Sequence, residues 1–199
     1  MGQIVLASAS PRRSELLRQA GMEFVVIPSR GEEVITSTHP AEVVEELSLQ
    51  KAQEVADRIM SGKEEQVSDF SVVIGADTVV AADHKILGKP ADHEDARKMI
   101  TMLQGNIHQV YTGVTLIVKD EKGNIHTRTF SECTDVDVCE MSEDEVEEYI
   151  STKEPYDKAG AYGIQEWIGY VGISGIEGSF YNVMGFPVHR VWRELQAFL

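Results

Sequence analysis

Apolar positions along the chain follow two alternating patterns, short continuous runs and longer stretches with helical spacing. Strands are predicted at 4–7, 23–28, 71–82, 107–120 and 125–139, the last two forming a hairpin across 121–124. Helices are predicted at 11–20, 40–60, 92–105, 142–152 and 187–199. The alternation of strands and helices indicates an α/β protein.

Capping residues support several of these helices. Ser10 and Pro11 suit an N-cap and a first helical position, and Asp92 suits an N-cap. Ser142 and Glu145 have the spacing of a capping box. The segment Gly160–Gly185 contains seven glycines, too many for a regular helix, and therefore predicts short strands and tight turns near a ligand.

Composition and charge narrow the function classes. The 199 residues are 42% hydrophobic and 26% charged, as expected for a globular protein, and suit one domain, 1–199. The net charge of −15 argues against binding DNA or RNA, whose phosphates would be repelled. A small anionic ligand remains compatible with local cations or a metal ion.

The lengths of the apolar runs, the start of the chain and the spacing of the two cysteines favour a cytoplasmic protein. No apolar run is long enough to span a bilayer, and the start of the chain does not resemble a signal peptide. Cys133 and Cys139 lie in one predicted strand, roughly 20 Å apart, which is too far for a disulfide. Reduced thiols in a cytoplasmic protein are therefore expected.

The first predicted strand and helix are joined by a turn that carries Ser8, Arg12 and Arg13. Free backbone N–H groups and the positive end of the helix dipole make such a turn a potential anion site. Two guanidinium groups there favour a phosphate ligand. The alternative is that both arginines are solvated surface residues.

Two charged residues stand at positions where apolar ones are expected. Asp77 interrupts a strand-like run, so it needs a cation, a metal or hydrogen bonds, unless the strand ends at Gly75 and Asp77 caps a turn. Lys51 interrupts the apolar stripe of the 40–60 helix, and its alternative is a side chain extended to solvent from the edge of the stripe.

Three further segments carry candidate chemistry. Glu32 and Glu33 are candidate metal ligands only if they lie near Asp77, because Mg²⁺ prefers carboxylate and phosphate oxygens. Lys89, in "ILGKPAD", is by itself an ordinary loop lysine. The stretch "EPYDKAGAYGIQ" ends in Gln165, whose amide can donate to and accept from a base edge.

Six motifs together resemble the Maf family of nucleoside triphosphate pyrophosphatases. They are "LASASPRRSELL", "GADTVV", "LGKP", "VYTGV", "DKAGAYGIQ" and "IEGSFYNVMGFP", in order along nearly the whole chain. The resemblance implies a mixed, curved central sheet flanked by helices, and two lobes with a cleft between them. It also implies cleavage between the α and β phosphates of a nucleoside triphosphate with Mg²⁺ or Mn²⁺.

The resemblance carries functional roles onto matching positions. Asp77, Glu33, Lys51 and Lys89 are expected to act in catalysis, with Glu33 and Asp77 as metal ligands and Asp77 as general base. Substrate-binding roles are implied for the remaining positions, Ser8, Arg12, Arg13, Thr78 and Gln165. The expected partner is a nucleoside triphosphate, without a membrane or a nucleic acid polymer. The sequence leaves open whether the chain is a monomer or a homodimer.

The loop "DKAGAYGIQ" resembles the branch of the family that acts on dTTP and UTP. A 7-methyl-GTP pyrophosphatase and a nucleotide-binding regulator of cell division are the alternatives. The family usually has glycine after Gln165, whereas this chain has Glu166 followed by Trp167, so the base preference is less constrained than the reaction.

Overall fold

A computed structural model describes residues 2–198 of the chain. Its strands are β1 (Gln3–Leu6), β2 (Val25–Val26), β3 (Phe70–Ala82), β4 (Lys85–Leu87), β5 (Ile107–Lys119), β6 (Ile125–Val138) and β7 (Ile173–Glu177). Its α-helices are α1 (Pro11–Gln19), α2 (Pro40–Met60), α3 (His93–Leu103), α4 (Glu143–Ile150), α5 (Trp167–Val171), α6 (Phe180–Val183) and α7 (Val188–Gln196). No helix within 2–198 has the length and apolar content needed to cross a membrane.

The seven strands form one mixed sheet. The strand order is β2-β1-β3-β5-β6-β7, and β4 pairs with β3 outside this path. β1 runs parallel to both β2 and β3, with Leu6 opposite Val26 on one side and Ile74 on the other. β4 runs antiparallel to β3, and β7 runs antiparallel to β6. The predicted α/β fold with a mixed sheet and flanking helices is confirmed.

The chain divides into two compact units. The first unit comprises residues up to Asp77, 112–132 and the segment from Gly185 onward, and the second comprises 78–111 and 133–184. In the first unit, α2 covers the sheet with Val55, Ala52 and Ile59, which pack on Val5 and Val73. This packing buries the apolar stripe from which the sequence predicted α2.

Glycine allows α2 to lie directly on two strands of the first unit. A Cβ atom at Gly75 of β3 would lie 2.2 Å from the carbonyl oxygen of Ser48. A Cβ atom at Gly113 of β5 would lie 2.2 Å from the carbonyl oxygen of Val44. The backbone of α2 therefore approaches the sheet more closely than any side chain at these two positions would permit.

The second unit has its own apolar core, in which α3 and α4 contribute Ile100, Leu103 and Ile150. Both predicted helix starts are confirmed. The Asp92 side chain accepts a hydrogen bond from the Asp95 amide, and Ser142 and Glu145 form the reciprocal capping box. These caps satisfy amide groups that have no partner within the helix.

The glycine-rich segment differs from the prediction. It contains two short α-helices, α5 and α6, in addition to β7, where only short strands and turns were expected. α5 includes one glycine, Gly169, and anchors itself through the buried Ile168. Packing against the core thus outweighs the low helix propensity of glycine, about 1 kcal/mol relative to alanine.

His108 of β5 is a buried, neutral side chain in the core of the second unit. It is 2% exposed, and its Nε2 lies 2.7 Å from the hydroxyl of Tyr162. Burial lowers the pKa of His108 to about 4, and the negative charge of Asp135 opposes this shift only in part. The folded protein therefore resists protonation of this ring at pH values where an unfolded chain accepts a proton.

We expect acidification to destabilise the protein through His108. The unfolded histidine titrates near pH 6.5 and the folded one at about 4, so stability is lost as pH falls between these values. From pH 7 to pH 5 this group should contribute a loss of about 2 kcal/mol. Urea unfolding at both pH values measures it, with His108→Gln expected to abolish the contribution.

The exposed His39 supplies the matched control, since His39→Gln keeps the buried His108 ring and the loss of stability that this ring contributes on acidification. An equal loss of stability in His108→Gln and in the wild type would contradict the prediction.

Candidate functional site

Lys51 lies in the middle of α2 and connects two acidic side chains. Its Nζ lies 3.0 Å from Oε1 of Glu33 and forms a short ion pair with Oδ1 of Asp77. The Lys51 and Asp77 side chains are 17% and 16% exposed, whereas Glu33 is 50% exposed. The ammonium group of Lys51 is therefore directed at Asp77 and does not extend to solvent from the edge of the apolar stripe.

Asp77 lies within β3, which continues to Ala82. The alternative in which the strand ends at Gly75 is therefore wrong. Residues before and after Asp77 are held by the sheet, so its carboxylate projects from a regular strand whose backbone cannot easily move. Lys51 supplies the cation that a carboxylate in such surroundings requires.

Arg13, from the first turns of α1, joins three parts of the first unit. Its Nη1 donates to Oγ of Ser8 at 2.9 Å and to the carbonyl oxygen of Ala76 at 2.8 Å. Its Nε donates to the carbonyl oxygen of Gly185 at 2.9 Å. Burial lowers the pKa of the Arg13 guanidinium, and the negative charge of Asp77 opposes that shift. Arg13 thus fixes the residue that directly precedes Asp77.

Arg12 and Ser8 complete the predicted groups of the first unit. Arg12 is half-buried in the first turn of α1, and its positive charge adds to the lowering of the Arg13 pKa. Ser8 is buried, and its Oγ accepts from the Ser10 amide at 3.3 Å as well as from Arg13. Ser10 occupies the N-cap of α1, but its side chain makes no capping hydrogen bond.

The remaining predicted residues belong to the second unit. Thr78 follows Asp77 along β3 and is half-buried, and Lys89 lies exposed in the loop after β4. Gln165 is half-buried and donates through Nε2 to Oε1 of Glu166 at 3.3 Å. Glu166 is the N-cap residue of α5.

Sequence reasoning assigned no partner to Lys158, which is 7% exposed. Its Nζ lies 2.6 Å from carboxylate oxygens of both Asp157 and Glu166, and it donates to the carbonyl oxygen of Glu154. The small residues that follow it, Ala159 and Gly160, were the available signal for a buried lysine. Its partner Glu166 lies eight positions further along the chain, where no local periodicity indicates it.

Glu33 and Asp77 were predicted as metal ligands, and their chemistry fits one class of ion. Mg²⁺ binds through one or two carboxylates and takes its other ligands from phosphate oxygens and water. In the stretch 2–198, no cluster of three or more His, Cys, Asp or Glu side chains is arranged to hold an ion. The two carboxylates thus suit an ion that a phosphate ligand completes, and do not suit an all-protein cage.

Comparison with known proteins gives consistent results over the whole chain. A family model described as Maf-like protein matches residues 3–198. The dTTP/UTP pyrophosphatase of Agathobacter rectalis is 51% identical over 98% of this chain and 97% of its own. The dTTP/UTP pyrophosphatase of Lachnoclostridium phytofermentans is 42% identical over 100% of this chain and 96% of its own.

Among solved structures, the Staphylococcus aureus Ham1 protein is similar in fold. It superimposes with a TM-score of 0.52, covers 98% of both chains and shares 15% sequence identity. At that identity the likeness supports the architecture alone.

The close packing of α2 on β3, which brings Lys51 near Asp77, can be tested by substitution of Gly75. Gly75→Ala would place a methyl group 2.2 Å from the Ser48 carbonyl oxygen and 2.8 Å from the Ala52 amide nitrogen. Because both are backbone atoms, α2 must move, and we expect a loss of about 1–3 kcal/mol in the free energy of unfolding. Chemical denaturation measures this loss.

Gly175→Ala in β7 is the matched control, since no atom lies within 4 Å of the added methyl group and stability should change little. Equal stability of the two variants would show that α2 does not rest on Gly75.

Proposed function

This chain belongs to the Maf-like protein family, and on that premise we propose that it hydrolyses dTTP and UTP. The products are the nucleoside monophosphate and pyrophosphate, released by cleavage between the α and β phosphates. The observation that carries this proposal is the full-length similarity, at 51% and 42% identity, to relatives named dTTP/UTP pyrophosphatase. The Gln165 loop favours this activity over 7-methyl-GTP hydrolysis.

The proposed chemical step begins with a water molecule beside Asp77. The Asp77 carboxylate accepts a proton from this water while the water oxygen attacks the α phosphorus. Pyrophosphate departs with the oxygen that bridged the α and β phosphates. Lys51 holds the carboxylate in place through its short ion pair. Because Lys51 also contacts Glu33, one ammonium group offsets part of the repulsion between two carboxylates and a triphosphate.

Cationic groups near Asp77 support an anionic substrate. Arg12 lies in the first turn of α1, where the helix dipole and free amide groups also favour phosphate oxygens. Arg13 uses two of its nitrogens to hold Ser8, Ala76 and Gly185, so we assign it a positioning role in addition to its charge. Thr78 stays a prediction as a substrate contact, and Lys89 stays a prediction as a catalytic residue.

Glu33 and Asp77 would hold a divalent cation, Mg²⁺ or Mn²⁺, which when bound would withdraw negative charge from the phosphates. The proposed enzyme acts in the cytoplasm, where nucleoside triphosphates are present. Whether the protein is a monomer or a homodimer stays open.

A panel of nucleotides tests the activity. With Mg²⁺, dTTP and UTP should give the highest kcat/KM, with pyrophosphate and the monophosphate as products, whereas ATP and GTP should be poor substrates. Excess chelator should abolish turnover, and Mn²⁺ or Mg²⁺ should restore it. Product chromatography and a pyrophosphate assay measure both effects.

Three outcomes would overturn parts of this proposal. A highest kcat/KM with 7-methyl-GTP would change the substrate, and binding without turnover would indicate a regulator in place of an enzyme. Full turnover in chelator would exclude the metal.

Asp77→Asn separates a catalytic from a structural acid. The amide keeps the size of the side chain but cannot accept a proton from water, so kcat should fall by about 10²- to 10⁴-fold. Thermal unfolding should show a folded protein. The control Asp57→Asn changes an exposed residue of α2 and should leave kcat unchanged. A folded Asp77→Asn protein with normal kcat would contradict the role of Asp77 as general base.

A further inference from the structure

The side chain of Glu166 joins three others in the second unit. The Glu166 side chain is 15% exposed. Oε1 lies 2.6 Å from Nζ of Lys158 and accepts from Nε2 of Gln165 at 3.3 Å. Oε2 accepts from the hydroxyl of Tyr149 at 3.2 Å. Glu166 is therefore held at Oε1 by Lys158 and at Oε2 by Tyr149, and Oε1 also accepts the hydrogen bond from Gln165.

The groups that hold Glu166 are themselves fixed. Lys158 is 7% exposed and is bound by the Glu154 carbonyl oxygen and the Asp157 carboxylate in addition to Glu166. The ring of Tyr149 stacks on that of Trp167, with centroids 6.3 Å apart. Burial raises the pKa of the Glu166 carboxyl, and the Lys158 ammonium opposes this shift. The contacts of Lys158 and Tyr149 hold Oε1 of Glu166 in one defined position.

A fixed acceptor on one side determines how the Gln165 amide is turned. Lys158 carries only donors, so Oε1 of Glu166 must act as an acceptor towards both Lys158 and Gln165. The NH₂ group of Gln165 then faces Glu166, and its carbonyl oxygen occupies the opposite edge of the amide. Without Glu166, the amide could rotate by 180° and exchange its donor and acceptor edges.

We propose that Glu166 is a positioning residue that orients the Gln165 carbonyl as an acceptor for pyrimidine bases carrying a proton on N3. Uracil and thymine offer an N–H donor at that ring position, whereas cytosine offers a lone pair, which a carbonyl oxygen repels. The ion pair of Glu166 with Lys158 thus contributes to the preference for UTP and dTTP over CTP. This inference rests on the proposed function, because it requires Gln165 to contact the base.

Matched variants separate orientation from structural support. Glu166→Ala removes the acceptor, while Lys158 keeps Asp157 and the Glu154 carbonyl oxygen, so the fold should survive. Glu166→Gln keeps an acceptor at Oε1, since Lys158 still requires one there, and its amide nitrogen can donate to the Tyr149 hydroxyl. Tyr149→Phe removes the hydroxyl contacts to Oε2 and to the Gly163 backbone, and leaves the Gln165 side of the carboxylate intact.

The ratio of kcat/KM for UTP to that for CTP is the measurement. In Glu166→Ala we expect this ratio to fall about tenfold, because one hydrogen bond to the base is lost. The fall should come mainly from a higher KM for UTP. Glu166→Gln should retain most of the wild-type ratio and Tyr149→Phe all of it. The same comparison of UTP and CTP affinities by calorimetry in the Asp77→Asn background does not depend on turnover.

The outcomes distinguish this inference from the proposed function. An unchanged ratio in folded Glu166→Ala, or a wild type that does not discriminate between UTP and CTP, would overturn the inference and leave the hydrolase activity in place. Equal losses in Glu166→Gln and Glu166→Ala would also overturn it, because charge and not orientation would then be responsible. A wild type that releases no pyrophosphate would overturn the proposed function, and the calorimetric ratio would still decide the role of Glu166.

Discussion

The contact between the backbone of α2 and the strands beneath it is the constraint on which the site of the first unit depends. Helices usually pack on sheets through intervening side chains, but at Gly75 and Gly113 there is no room for one. This close approach brings the Lys51 ammonium, on the apolar face of the helix, within reach of Asp77 in the strand. A longer distance between helix and sheet would leave the same two residues as separate, destabilising charges.

The distribution of charge follows from that arrangement. The chain has a net charge of −15, yet Arg12, Arg13 and Lys51 are gathered around Asp77 and Glu33. Three cationic groups beside two carboxylates leave a local excess of positive charge in an acidic protein. Such an excess favours a small anionic ligand at short range, in a protein whose net charge is negative.

Local patterns in the sequence predicted much of the fold. The period of the apolar stripe defined α2 at residues 40–60, and the side chains of Asp92 and Ser142 marked the starts of α3 and α4. Lys51 and Asp77 were recognisable because each contradicts the pattern around it. These features depend on neighbours within a few positions, which a single sequence displays.

Interactions with distant or backbone partners could not be predicted in the same way. Arg13 donates to the carbonyl oxygens of Ala76 and Gly185, and every residue carries such an oxygen, so no residue type indicates the contact. The partnership of Lys158 with Glu166 depends on a turn whose geometry arises from tertiary packing. The short helix α5 was missed for a related reason, since burial of Ile168 stabilises it against a glycine-rich sequence.

The hydrogen bond between Arg13 and Gly185 also has a consequence for synthesis on the ribosome. It connects residues 172 positions apart, so a growing polypeptide can contain every residue up to Asp77 and still lack the partner that completes the setting of Arg13. Contacts of such long sequence separation form late, because the chain entropy of closing the loop must first be overcome. A nascent chain therefore carries an incompletely supported Asp77 until Gly185 has left the ribosome, so the setting of this carboxylate is completed only after most of the described residues have been synthesised.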